Sequence, residues 1–154
     1  MSGFARCSEG HRHWGHRGAA GLLLARAGAV LLQLRAGWAH HGGTWSLPGG
    51  ARERGETAVD TALREATEEL GLDRTVVDVR GSWLASCGGW TYETVLAVPS
   101  PVDVEVGLHD RAESAAHAWV DLDDVAGRRL HPAFREAWAD DDGALRRFVG
   151  ATAP

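Results

Sequence analysis

The sequence predicts an α+β domain built on a mixed β-sheet, and three observations carry that reading. Apolar, β-branched and aromatic runs suited to strands recur from Gly18 to Leu122. One long helical period, Ala58–Leu70, stands in their midst. Strands and helices are mixed without regular β-α-β alternation. The 154 residues amount to one domain, 1–154, with residues 1–16 an irregular N-terminal segment.

The elements follow in order. Gly18–Arg26 and Ala29–Arg35 are apolar runs split by Ala27-Gly28, hence a strand, a tight turn and a second strand. Gly37–Gly50, rich in glycine and holding Pro48, is a loop. Within the helix, Val59, Ala62, Leu63, Ala66 and Leu70 make one apolar stripe. Thr57 with Asp60 forms a capping box at its start, and Gly71 suits a left-handed cap at its end. Val76–Ala85 and Tyr92–Val98 are strands around a Gly88-Gly89 turn. Val102–Val106 alternates like an edge strand, and Ala118–Leu122 is a further short strand. Asp123–Gly127, Ala133–Asp140 and Gly143–Val149 read as short helices.

Composition narrows the function. Hydrophobic residues at 44% and charged residues at 24% exclude disordered, collagenous and coiled-coil chains. A net charge of −5 argues against a broad basic surface, so neither a nucleic-acid polymer nor an anionic membrane is expected as partner. All 16 basic residues are arginine. The absence of lysine excludes P-loop, Schiff-base and kinase-type lysine chemistry. Two cysteines without a CxxC pair, and no apolar segment suited to a leader or a membrane span, lead us to expect a cytoplasmic protein.

Glu65, Glu68 and Glu69 stand at i, i+3 and i+4, off the apolar stripe and together on a neighbouring face. Like charges at that spacing cost a helix roughly 0.2–0.5 kcal/mol per pair. The helix C-terminus also disfavours anions. Such a local conflict marks a functional site. Clustered oxygen donors suit Mg²⁺ or Mn²⁺ rather than zinc. The plainer reading of the helix alone is a solvated acidic face partly neutralised by Arg64.

The surrounding residues reverse that balance. Gly50, five residues, Glu56, seven residues, then Arg64-Glu65-Ala66-Thr67-Glu68-Glu69-Leu70-Gly71-Leu72 resembles the Nudix box, with Leu47-Pro48-Gly49-Gly50 similar to its usual lead-in. Ala66 is the soft position, where a larger aliphatic residue is usual. The resemblance implies a Nudix-type α/β/α sandwich with a mixed β-sheet and the box as loop–helix–loop. It implies a hydrolase of a nucleoside diphosphate linked to another group, in which water attacks a pyrophosphate phosphorus with divalent-metal assistance. By the same resemblance Glu65, Glu68 and Glu69, with the Gly49 carbonyl, hold Mg²⁺ or Mn²⁺. Arg64 orients the carboxylates and meets Glu56, and the general base is Glu65 or Glu113. A non-catalytic, nucleotide-sensing relative is the opposing class.

Substrate clues are thinner. Arg35, at the end of the second strand, resembles a position that reaches substrate phosphate, and an arginine fork suits that task. Trp90 and Tyr92 alternate after the glycine turn and could stack a base, with core packing the competing reading. Chain length and the absence of other subfamily marks point by elimination to a nucleoside triphosphate, canonical or oxidised, cut to a monophosphate and pyrophosphate. Nucleotide sugars, ADP-ribose and dinucleoside polyphosphates are the alternatives. A bacterial source, a small-molecule partner and room for a homodimer complete the expectation. Cys7, His11, His13 and His16 match no standard zinc spacing and lack the second cysteine of a knuckle, so they read as a solvated terminus.

Overall fold

The computed structural model describes residues 3–100 and 114–154. Strand β3 (Ala19–Arg26) is the spine, and all of it but Arg26 is buried. Its period of two sends alternate side chains to opposite faces. Leu22 and Leu24 enter one core cluster, while Leu23 and Ala25 enter another. β4 (Ala29–Arg35) repeats the division, with Leu31 on the first side and Val30 and Leu32 on the second. A strand apolar on both faces needs a layer over each.

Helix α1 (Ala58–Leu70) covers the first face through Ala62, Leu63, Ala66 and Leu70. Ala66 is fully buried, and its small side chain seats the helix close to the sheet. The expected capping box is present, Thr57 Oγ1 accepting from the Asp60 amide at 3.1 Å and Asp60 Oδ2 from the Thr57 amide at 3.1 Å. Gly71 ends the helix at φ +64°. Helices α2 (Pro132–Trp138) and α3 (Ala144–Ala151) cover the second face with Phe134, Trp138, Leu145 and Val149. The result is the expected α/β/α sandwich.

Sheet order places the site. β7 (Val77–Cys87) pairs antiparallel with β8 (Trp90–Pro99), and β8 runs parallel to β3. β3 and β4 stay paired only near their shared turn, at Ala25↔Val30 and Arg26↔Ala29. Beyond it they part. β3 takes up β6 (Gly49–Ala51) and β4 takes up β5 (Trp45–Ser46), while β9 (Ser114–Asp121) pairs along β4 from Ala29 to Arg35. The split leaves room for the box loop between the two strands.

Three expectations need correction. The segment 37–50, read as loop for its glycines, contains β5 and the start of β6, because neighbouring strands supply partners that local composition does not encode. The terminal segment 1–16 is not irregular: β1 (Phe4–Arg6) pairs with β2 (Arg12–Trp14) as a separate hairpin. Its strands are too short to show a period. The last strand is longer than Ala118–Leu122, opening at Ser114. The expected edge strand Val102–Val106 lies outside the described residues. Among the described residues, no helix is long and apolar enough to cross a membrane.

Candidate active site

The loop before α1 is built for close approach. Pro48 accepts from the Leu22 amide at 2.9 Å, and Gly49 and Gly50 lie opposite Gly21 and Ala20 of β3. A Cβ on Gly49 would stand 2.6 Å from the Ala20 carbonyl oxygen. A Cβ on Gly50 would stand 2.5 Å from Glu65 Oε1. Only glycine lets the loop lie flat against both the sheet and the carboxylates.

The three glutamates are held in different ways. Glu69 is 3% exposed, so it belongs to the buried face of α1 and not to the polar face expected for it. Its Oε2 accepts from the Gly49 amide at 3.1 Å and from Gln33 Nε2 at 3.1 Å. Burying a carboxylate is tolerable only with such donors. Glu65 accepts from Arg64 Nη1 at 3.0 Å, and the same nitrogen reaches Glu68 Oε2 at 3.3 Å. One guanidinium nitrogen thus bridges two of the three carboxylates and offsets the repulsion read from the sequence.

Arg64 is itself anchored. Its Nε donates to Glu56 Oε2 at 2.7 Å and its Nη2 to Glu56 Oε1 at 3.0 Å and to the Ala51 carbonyl at 3.2 Å. All three nitrogens are engaged at once, which the point charge of a lysine could not reproduce. The Arg64 hydrogen bonds, helped by the Glu53 amide and the Thr61 hydroxyl, hold the Glu56 carboxyl down at about 2 against the opposing effect of burial. The same contacts raise Arg64 above its ordinary value. Arg64 therefore stays charged between Glu56 and the carboxylates of Glu65 and Glu68.

The substrate-side residues divide. Arg35 donates from Nε to the His40 carbonyl at 2.8 Å. It stands within electrostatic reach of Tyr92, as do Glu65 and Glu69. Desolvation, and then those two glutamates, push the Tyr92 phenol up. The Tyr92 hydroxyl lies under the box loop, where a Cβ on Gly49 would come within 3.0 Å of it. Trp90 is turned to another task. Its ring stacks on His13 with centroids 4.2 Å apart and planes 6° apart, and its Nε1 donates to the Gly15 carbonyl at 2.7 Å. It packs the N-terminal hairpin, which is the packing reading of that residue. Glu113 lies outside the described residues.

Two residues were missed. Gln33 was visible as the one polar residue inside Leu31–Leu34, and it is 2% exposed. His131 carried no local signal. It meets the His41 ring at 4.7 Å, and His41 meets His40 at 4.0 Å, a histidine cluster whose charge environment includes Arg35. Burial, then His41 and Arg35, lower His131 to about 4. The neutral ring fits its other role, Nδ1 accepting from the Ala133 amide at 3.1 Å as the cap of α2.

With this geometry in place, the comparisons are decisive at the family level. Residues 15–144 match the NUDIX domain. This chain belongs to the Nudix family. A Nudix hydrolase of M. smegmatis, RenU, shares 42% identity, with a TM-score of 0.82 over 99% of this chain and 96% of that one. A Mycobacterium tuberculosis protein provisionally named 8-oxo-dGTP diphosphatase 3 is 43% identical over 88% of this chain and 66% of its own length. A Bifidobacterium longum nucleoside triphosphate pyrophosphatase/Nudix hydrolase fusion protein is 38% identical over 88% of this chain and 30% of its own. The chain thus spans just under two thirds of one curated relative and under a third of the other.

Nudix hydrolases use divalent metal ions, and the residues here fit one. The candidate donors are hard oxygens, supplied by one helix and the loop before it. A side chain at Gly50 would fill the space beside Glu65, so that space is kept by a glycine.

Proposed function

We propose that this Nudix hydrolase converts a nucleoside triphosphate, canonical or oxidised, and water into a nucleoside monophosphate and pyrophosphate. The observation that carries the reading is the arrangement around the box. Helix α1 carries a buried, amide-held Glu69 and an Arg64-bridged Glu65 and Glu68, and Glu65, Glu69 and Arg35 all act electrostatically on the Tyr92 phenol beneath Gly49. Negative and positive groups are thus set on one site, as a phosphate chain with its cation requires. The names of two relatives, which speak of 8-oxo-dGTP and of nucleoside triphosphates, support the substrate class.

In this proposal Glu65, Glu68, Glu69 and the Gly49 carbonyl hold Mg²⁺ or Mn²⁺. When bound, the ion supplies charge neutralisation at the diphosphate and acidifies water. Arg64 keeps Glu65 and Glu68 in register. Arg35 grips a phosphate as a fork held by the His40 carbonyl. Glu65 or Glu113 would take the proton from the attacking water as its oxygen bonds phosphorus, and the bond to the departing pyrophosphate breaks. Positioning and charge supply the catalysis, so the missing lysine is no defect.

The test is a panel of canonical and oxidised triphosphates, ADP-ribose, nucleotide sugars and dinucleoside polyphosphates, assayed with Mg²⁺ and with Mn²⁺, products identified by mass. A triphosphate should give the highest kcat/KM, with pyrophosphate released. A nucleotide sugar cut at far higher efficiency than every triphosphate would overturn the substrate assignment.

A further inference from the structure

The N-terminal hairpin carries a cluster that the hydrolase site does not use. Cys7 and His11 lie in the turn between β1 and β2, His13 lies in β2, and Cys87 ends β7. One donor atom from each falls within 4.8 Å of all the others. Cys7 Sγ is 3.2 Å from Cys87 Sγ, and His11 Nδ1 is 3.0 Å from the same sulfur. The second cysteine missing from the local spacing is supplied from 80 residues along the chain. His16 falls outside the cluster.

We propose that Cys7, His11, His13 and Cys87 form a structural zinc site, separate from the catalytic metal site, that clips the N-terminal hairpin to the tip of the β7–β8 hairpin. Four ligands of two thiols and two imidazoles are the donor set of a closed tetrahedral site. Zn–S bonds near 2.3 Å and Zn–N bonds near 2.0–2.1 Å put tetrahedral donors roughly 3.3–3.8 Å apart. The two contacts to Cys87 Sγ, at 3.2 and 3.0 Å, would open by about half an ångström to reach that spacing. Soft thiolates select zinc over the hard cations that the glutamates attract, so ligand chemistry keeps the two metals apart.

Two further observations point to a ligand. His13 Nε2 is buried with no hydrogen-bond partner, which is costly for an imidazole unless something fills that place. The stack on Trp90 fixes the ring. The backbone also prearranges the turn. The Cys7 amide donates to the His11 carbonyl at 2.9 Å, and the Ser8 amide donates to the Gly88 carbonyl at 3.0 Å. A Cβ on Gly88 would stand 2.6 Å from the Ser8 nitrogen, so the two turns meet through a glycine. The hairpin has reason to need a staple. Its strands are three residues each, and Phe4 and Trp14 are about half exposed. Two-stranded hairpins of that kind are marginal alone.

The experiment measures metal content in the full chain expressed with added zinc and purified under reducing conditions without chelator. Elemental analysis should find about one zinc per chain, falling at least tenfold in Cys87→Ser and in His13→Ala while Glu68→Gln retains it. Cobalt exchanged into wild type should show thiolate-to-cobalt charge transfer. Should Cys87→Ser or His13→Ala fail to fold, thiol titration of wild type decides. Both thiols protected until a chelator is added supports the site. Thiols that react at once, a Cys7–Cys87 disulfide, or zinc content unchanged in Cys87→Ser would overturn it.

Discussion

Replacing Glu56 by glutamine removes one charge and almost no volume, and its effect should depend on pH in a defined window. In the folded chain this carboxyl titrates at about 2 instead of 4.5, chiefly because Arg64 donates two hydrogen bonds to it. At about 1.36 kcal/mol per pH unit of displacement, this gives about 3 kcal/mol. With 17% of the Glu56 and 24% of the Arg64 side chain exposed, solvent screening lowers that to about 2 kcal/mol. The sign follows from linkage. A depressed carboxyl stabilises the fold fully above its unfolded value of 4.5, and the contribution fades as pH falls through about 2. Urea titrations of wild type and Glu56→Gln across that range should show a stability gap that narrows by about 2 kcal/mol. Asp73, also depressed by its local hydrogen bonds, titrates alike in both proteins and cancels, whereas Asp60, depressed by its Thr57 hydrogen bonds, is raised by the Glu56 charge and moves slightly further down in the variant. A gap that stays constant through the window would refute the role given to the Glu56–Arg64 pair.

The remaining predictions separate holding from catalysing. Glu69→Ala withdraws the acceptor of the Gly49 amide and of the Gln33 side chain, and should cost about 1–3 kcal/mol of stability as well as turnover. Glu68→Gln loses only an exposed ion pair, so it should abolish most turnover while changing the unfolding free energy of the metal-free chain by about 0–1 kcal/mol in urea titrations; equal destabilisation by the two changes would contradict the burial assigned to Glu69. Gly50→Ala puts its methyl against the Glu65 carboxylate, a flexible group, so kcat should fall roughly 10²-fold with the fold intact, and wild-type turnover would show that this approach is unimportant. His131, neutral down to about 4 when folded against 6.5 unfolded, stabilises above 6.5 and loses that contribution as pH falls toward 4. His131→Asn keeps a capping acceptor and should flatten this part of the stability profile, an idea that parallel curves for the two proteins would exclude.

How much of this was legible in the sequence depends on how far apart the interacting residues stand. Helix α1 was legible from cap to cap, because every signal it needs lies within a turn or two: Thr57 with Asp60, the apolar stripe, and Gly71. The split of Leu22 and Leu24 from Leu23 and Ala25 follows from the same local period. What could not be read is what arrives from elsewhere. Glu69 sits by spacing beside Glu65 and Glu68, yet it is buried, because Gly49 and Gln33 bring donors from 20 and 36 residues away. β5 and β6 are two and three residues long, and their partners define them more than their own composition does.

The same distance argument explains why the two metal-ligand clusters differ so much in visibility. Three of the four donors expected at the catalytic site come from one helix at i, i+3 and i+4, so that spacing alone displays them as a conflict of like charges. The structure resolves that conflict through Arg64 of the same helix, anchored on Glu56 before it, and through the Gly49 amide from the loop. At the N-terminal hairpin three donors are also local, but strands of three residues have no amphipathic period to display them, and the donor that closes the set, Cys87, belongs to another hairpin. A cluster shows itself in sequence when it violates a local rule. Cysteine and histidine in a polar turn violate none, so Cys7, His11 and His13 read as a solvated terminus until the meeting of the Ser8 amide with the Gly88 carbonyl brings Cys87 to them.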